Sequence, residues 1–408
     1  MASHQTKRKI EATLGDDVVD EFDRSSPIKR ARTPISGIVK DIEAPCRRSS
    51  QIYYCQMCQG LIKFLIERIP GEARGVRPGI YDLDIPTILS GSNCCLCASL
   101  SSKWRELFLP DASQSPNGDV SILRTRSVAI YSGGWFFNFD TMGDLNYPAG
   151  LSITSTPKND FKYSSYDHFV SKSTDSEDSW SLANKWLQHC ASGHDCKSAT
   201  LDAPLPTRLI KLDVFTGMIR LVKSCQLAGP VDYCTLSHCW GDGDFFQLQQ
   251  SNYEALQEYI PYGLLSRTFK DAIYAAHKSG FEYIWIDSLC IIQRDTEDSA
   301  KEARTMEKVY AGSSLNLAAT FSKDGRGGLF SSRKPTTIVP CIARSLSISV
   351  DDFLIYDKDL WLKEVEDSHL LTRAWVTQEL FLAPRTLYFG KSQLLWECHA
   401  GYACESQP

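Results

Sequence analysis

Two groups of residues in this chain have the types and spacing to do chemistry. The first lies in YCTLSHCWGDGD, residues 233–244, which holds Ser237, His238, Cys239, Trp240 and Asp242. A serine, a histidine and an acid suggest a hydrolase triad. Neighbours along a strand point to opposite faces, so these three do not converge and a serine hydrolase is set aside. Cys239 and Cys290 have no base at a recognisable spacing. What remains is an acid, an indole and the Gly241-to-Gly243 turn, where backbone can approach a ligand closely. Asp287 sits inside the apolar run FEYIWIDSLCIIQ, residues 281–293. A buried acid there needs a partner, either backbone N–H groups at a helix start or Arg267 or Arg373.

The second group is cysteine. Cys55 and Cys58 form one C-x-x-C pair, and Cys94 and Cys97 another. Together they could supply four thiolates to a tetrahedral zinc ion, although the interval between the pairs exceeds that of an ordinary zinc ribbon. The competing reading is thiols that merely pack. Cys190, His194 and Cys196 in WLQHCASGHDC are either a small metal site, or half of one, or a helix end with buried Cys and His. The helix end is the simpler reading. The loop DGRGGLF, residues 324–330, is glycine-rich, but no Gly-Lys-Ser/Thr follows, so it reads as a plain turn and not a P-loop.

The elements that must position these residues follow from periodicity. YCTLSHCWG and the 281–293 run read as strands buried on both faces. Between them, SRTFKDAIYAAHKSG places Phe269, Ala272, Ile273 and Ala276 on one helical face, with Ser266 or Thr268 as cap and Gly280 as stop. This βαβ unit brings both strand ends to one sheet edge, gathering Ser237, His238, Trp240, Asp242, Asp287 and Cys290. Residues 205–222 read as a hairpin turning at Thr216-Gly217. EDSAKEARTMEKVYAGS predicts one helix with Ala300, Ala303, Met306, Val309 and Tyr310 on a common side. SLNLAATF, residues 314–321, predicts a further buried strand. The 122–139 stretch and the weakly alternating 335–368 stretch predict strands, and 154–182 a loop. Residues 370–385 predict a helix ending near Pro384, and 386–398 a strand pair around Gly390.

With 408 residues the chain has room for two domains, and a net charge of −5 argues against a broad nucleic-acid surface. Fifteen cysteines, clustered as close pairs, suit a reducing compartment better than a disulfide framework. No apolar run reaches membrane-spanning length, and the first twenty residues lack a secretory core. The expected location is therefore cytoplasmic, or nuclear if Lys7-Arg8-Lys9 and Lys29-Arg30-Ala31-Arg32 act as import signals in a disordered 1–50 tail.

Six motifs in order, YCTLSHCWGD, LLSRTFKDAI, YIWIDSLCIIQRD, the Met306-to-Tyr310 helix, GLFSSR and TRAWVTQELFLAPRTLYFG, resemble the fungal heterokaryon-incompatibility (HET) domain over residues 205–398. The upstream cysteine pairs, and the Cys-His-Cys stretch of Cys190, His194 and Cys196 before LPTRLI, also resemble what often precedes that domain. His238 departs from the commoner aromatic, and Ala374 from the commoner glycine. The resemblance implies a role in allorecognition and programmed cell death, self-association, and an incompatibility partner protein. HET domains are distantly similar to Toll/interleukin-1 receptor (TIR) domains, some of which hydrolyse NAD with a glutamate four residues after a tryptophan. Trp375 and Glu379 have that interval. The resemblance thus implies Glu379 as catalytic residue, with Trp240, Gly241, Asp242, Asp287, Arg373 and Trp375 around the substrate. Non-enzymatic signalling by the same fold, or a zinc-binding interaction module, is the alternative. The expected architecture is α/β: a Rossmann-like or TIR-like parallel sheet flanked by helices over 205–398. A cysteine-bearing accessory region over 51–204 precedes it, and a short tail, 399–408, follows.

Overall fold

The computed structural model describes residues 55–66, 82–84, 94, 97, 122–131, 134–141, 150–156, 171–196, 204–213, 217–241, 243, 245–333, 341–343, 352–357 and 359–406. The basic clusters of the first 50 residues and Asp242 lie outside them. Contact density divides the chain into two compact units. Of the described residues, the first holds those of Cys196–Gly328 and Ala374–Thr386; the second holds those of Ser50–Asp195, Leu329–Arg373 and Leu387–Pro408. Neither unit is one continuous stretch of chain.

The second unit opens with helix α1 (Gln56–Ile66). Strands β1 (Asp82–Asp84), β2 (Ile122–Tyr131), β3 (Gly134–Thr141) and β4 (Gly150–Thr156) follow. Helix α2 (Glu177–Gly193) starts where Ser176 accepts the Ser179 N–H, with Glu177 and Asp178 in the first turn where the helix dipole favours acids. It buries Trp180, Ala183, Trp186 and Cys190, a stripe at helical spacing.

The first unit begins with a hairpin, β5 (Arg208–Asp213) and β6 (Met218–Lys223). Gly217, at φ +67°, makes the reversal. Strand β7 (Cys234–Ser237) is buried throughout. Helix α3 (Tyr253–Glu258) and helix α4 (Arg267–Lys278) precede β8 (Tyr283–Trp285). As the sequence predicts, Ser266 caps α4 by accepting the Phe269 N–H, and Gly280 leaves it at φ +85°. Phe269, Ala272, Ile273 and Ala276 are its buried face.

Beyond Trp285 the structure departs from the expected long strand. Asp287–Cys290 form a helical turn, α5. The Asp287 carboxylate accepts the Ser288 N–H at 2.7 Å, and the Cys290 N–H turns back to the Ile286 carbonyl at 2.8 Å. A strand and a turn that are both buried all round give the same unbroken apolar pattern, so periodicity could not separate them.

The next predicted helix is two, α6 (Thr296–Ala303) and α7 (Met306–Ala311). Ala300 and Ala303 face solvent, and Glu302 is buried instead. The cause is Arg208, itself buried. Its guanidinium pairs with Asp298 at 2.6 Å and Glu302 at 3.3 Å, and its Nε donates to the Cys290 carbonyl at 2.6 Å. A buried charge must be matched, and that requirement outweighs the apolar spacing.

Strand β9 (Leu315–Ala318) completes the core of this unit. The strand order there is β9-β7-β8-β5-β6. β7 is parallel to both β8 and β9, with Thr235 opposite Trp285 and Asn316. β5 runs antiparallel to β8 and β6. The sheet is therefore mixed, not purely parallel, because a short hairpin can deliver only an antiparallel neighbour.

In the second unit, β10 (Cys341–Ala343) and β11 (Asp352–Asp357) join the earlier strands in a six-stranded sheet, order β1-β2-β3-β4-β11-β10, with every pairing antiparallel. The late segment supplies helix α8 (Ala374–Leu382), then β12 (Arg385–Phe389), β13 (Leu394–Cys398) and β14 (Gly401–Cys404). The predicted strand pair around Gly390 is present, and β14 adds a third strand. α2 lies on β13, where Trp186 meets Trp396 at 6.4 Å between ring centroids. Buried Arg333 pairs with Glu405 and donates to Ser179 Oγ at 2.9 Å. No helix among the described residues is long and apolar enough to cross a membrane.

Candidate functional site

The parallel strands of the first unit end in side chains that pair with one another. Thr235 and Ser237 alternate onto one face of β7. Thr235 Oγ1 donates to Asn316 Oδ1 at 2.9 Å, and Asn316 Nδ2 donates to Ser237 Oγ at 3.2 Å. The Ser237 hydroxyl then donates to Glu379 Oε2 at 2.6 Å, a charge-assisted distance. Glu379 lies on α8, which packs beside α7 and against β7, and is only 4 % exposed. Tyr310 of α7 is hydrogen-bonded to Glu379, and its hydroxyl stands 3.5 Å from the Leu236 carbonyl. Burial first, then the charges of Glu379 and Asp287, push the Tyr310 phenol well above its usual range, so it stays protonated and donates.

A second acid stands at the end of β8. Asp287 Oδ2 accepts the Trp240 indole N–H at 2.8 Å, while Oδ1 holds the Ser288 N–H. His238 Nε2 lies 3.9 Å from Asp287 Oδ1. The His238 ring meets the edge of Phe269 at 5.1 Å, and Trp240 meets Phe245 at 5.5 Å. Of the two partners the sequence offered Asp287, the backbone at a helix start is the one it uses; Trp240 is an addition.

The structure thus brings Trp240 to Asp287, and bonds Glu379 to Ser237, which the sequence placed at the same sheet edge, and to Tyr310. Asn316 and Tyr310 were legible only as parts of a buried strand and a helix. An asparagine inside SLNLAATF was the available signal, because a buried amide must be bonded. Gly241 has φ +72°, and a Cβ there would come within 2.5 Å of Asp324 Cβ. Its glycine is required by the Asp324 loop, whereas Gly243 faces open space. Trp375, one turn before Glu379, is 59 % exposed. Arg373 is half-buried and falls in the second unit, whereas Glu379 falls in the first. A cleft of about 490 Å³ lined by Gln249, Gln293, Arg294 and Thr296 contains none of these residues.

The four predicted zinc ligands come together in the second unit. The sulfurs of Cys55, Cys58, Cys94 and Cys97 all lie within 4.8 Å of one another. Cys97 Sγ is 3.5 Å from that of Cys55 and 3.4 Å from that of Cys58. Tetrahedral zinc–thiolate bonds of about 2.3 Å would hold sulfurs about 3.8 Å apart, so the cluster fits such an ion. Hydrogen bonds to Cys94 and Cys97, then burial, push the Cys58 thiol far up, while the Cys94 thiol, accepting from Cys58, is driven down. A divalent cation would stabilise all four as thiolates. These cysteines could therefore hold a metal ion, and four soft sulfur donors suit zinc.

No curated protein and no solved structure matches the chain. Residues 233–379 match the family described as "Heterokaryon incompatibility protein (HET)", a span that runs from the residue before β7 to Glu379 itself, and the chain carries a HET domain.

Proposed function

We propose that this protein acts in heterokaryon incompatibility as a cell-death effector, and that its HET domain cleaves NAD at Glu379 after self-association. The observation that carries the reading is the carboxylate placed at the carboxyl end of β7 and received by Ser237 and Tyr310. Breaking the nicotinamide–ribose bond generates an oxocarbenium-like ribose, which a carboxylate in a low-dielectric site stabilises. Water then adds to the ribose carbon, giving ADP-ribose, nicotinamide and a proton. Ser237 and Tyr310 would hold the carboxylate in position, and the Trp240 indole, oriented by Asp287, would offer a ring face to the base. Glu379 is closed off in the single chain, so α8 must move before substrate reaches it. Self-association is the step assigned to that movement.

The test is nicotinamide release by the full chain, free and clustered on a multivalent scaffold, with Glu379→Gln beside it. Release that rises on clustering and disappears with the substitution supports the reading. A clustered wild-type chain that releases none overturns it.

One observation favours a second reading, a signalling adaptor without chemistry. Glu379 is buried and already bonded to Ser237, while Trp375 and Phe381 of the same helix stand 59 % and 82 % exposed, as recruiting side chains would. In that case Trp375→Ala with Phe381→Ala abolishes the cell-death response while Glu379→Gln leaves it intact. The incompatibility partner and a cytoplasmic or nuclear location are part of the same proposal, the latter tested by replacing Lys29-Arg30-Ala31-Arg32 with alanines.

A further inference from the structure

We propose that Cys190, His194, Cys196 and Cys398 bind a second zinc ion, one that locks the end of α2 to the end of β13. Their donor atoms, three sulfurs and one imidazole nitrogen, lie within 4.8 Å of one another. Cys398 Sγ stands 3.5 Å from His194 Nδ1. Bonds of about 2.3 Å to sulfur and about 2.0 Å to nitrogen put tetrahedral S and N ligands about 3.6 Å apart, which matches.

Each donor arrives by a separate local device. Cys190 belongs to the buried stripe of α2. His194 caps that helix, its N–H donating to the Cys190 carbonyl at 3.2 Å, and its ring meets that of His189 of the last turns at 5.1 Å between centroids. Cys196 follows directly on Asp195 and is buried. Cys398 closes β13 opposite Gly401 of β14, two residues beyond the Trp396 that packs on Trp186. The Trp186–Trp396 contact and the metal would therefore fasten the same helix to the same strand at successive points. Packing alone explains buried thiols, but not three thiols and an imidazole converging from positions 204 residues apart. Three sulfurs and one nitrogen in a closed, largely buried set form a structural zinc site with no open position for chemistry.

The experiment is zinc content per full-length chain after metal-free purification and zinc reloading. Wild type is expected to hold two zinc ions, Cys398→Ser one and Cys55→Ser one. A Cys398→Ser chain with the same zinc content as wild type overturns the proposal, as does a wild-type chain holding one ion that only Cys55→Ser removes. Because Cys398→Ser can impair folding, His194→Cys is the second variant. It keeps four ligands, so it should retain both ions while the cobalt-substituted protein's ligand-field bands move to lower energy. An unchanged cobalt spectrum in that variant shows that His194 is not a ligand and refutes the site. Iron in place of zinc, seen by its visible absorbance, refutes it as well.

Discussion

Set the polar cluster of the HET domain beside the cysteine cluster of the second unit. Both are buried, and both gather groups that burial penalises. In the first, Thr235 donates to Asn316, Asn316 to Ser237, and Ser237 with Tyr310 bonds Glu379, so the polar groups of the cluster answer one another. In the second, four like sulfur groups crowd within 4.8 Å of one another, and the cluster itself supplies no opposite charge. A self-satisfied cluster stands without outside help. A cluster of like groups is stable only when a cation completes it.

Removing metal should break the comparison most sharply. Structural zinc contributes on the order of 10 kcal/mol to folding of small sites. Strong chelation of the full chain should therefore abolish hydrogen-exchange protection in Gln56–Ile66 and leave Cys234–Ser237 protected. Equal loss in both would show that the clusters do not differ as argued.

Next in size is Glu379→Ala, which strips the buried Ser237 hydroxyl of its 2.6 Å acceptor and leaves a cavity, and should cost about 2–4 kcal/mol in denaturant unfolding. Glu379→Gln, which keeps an acceptor, should cost less than half of that. A smaller loss, about 1–3 kcal/mol, is expected for Gly241→Ala, from positive φ and contact with Asp324. Gly243→Ala, with nothing near its added methyl, should stay within about 0.5 kcal/mol. Trp240→Phe falls between these two. It keeps the ring and loses one hydrogen bond to Asp287, about 1 kcal/mol, readable as a modest fall in thermal midpoint.

The helix over 267–278, its serine cap, the hairpin at Gly217 and the strands flanking Gly390 were all legible, because each rests on local periodicity or turn chemistry. The misreadings have two causes. The turn at Asp287 is buried all round, as a strand would be, so periodicity hides it. The inward face of α6 depends on a partner distant in sequence, Arg208, which draws Asp298 and Glu302 inward. No window of residues 295–310 contains that arginine. The cluster of Cys55, Cys58, Cys94 and Cys97, which could hold a metal ion, could be named in advance because two C-x-x-C pairs advertise themselves. Cys398 could not, since nothing near it in sequence marks it as a companion of His194.

By itself, then, the sequence determined the HET domain, the elements of its βαβ core and the kinds of groups that could react. Those are properties of short stretches, set by spacing along the backbone. Only the tertiary structure decided that Glu379 is closed within hydroxyls from β7 and α7 rather than open to solvent. The physical reason is that a buried charge is matched by whichever donors the packing of separate elements brings within hydrogen-bond reach, and that distance is not written along the chain.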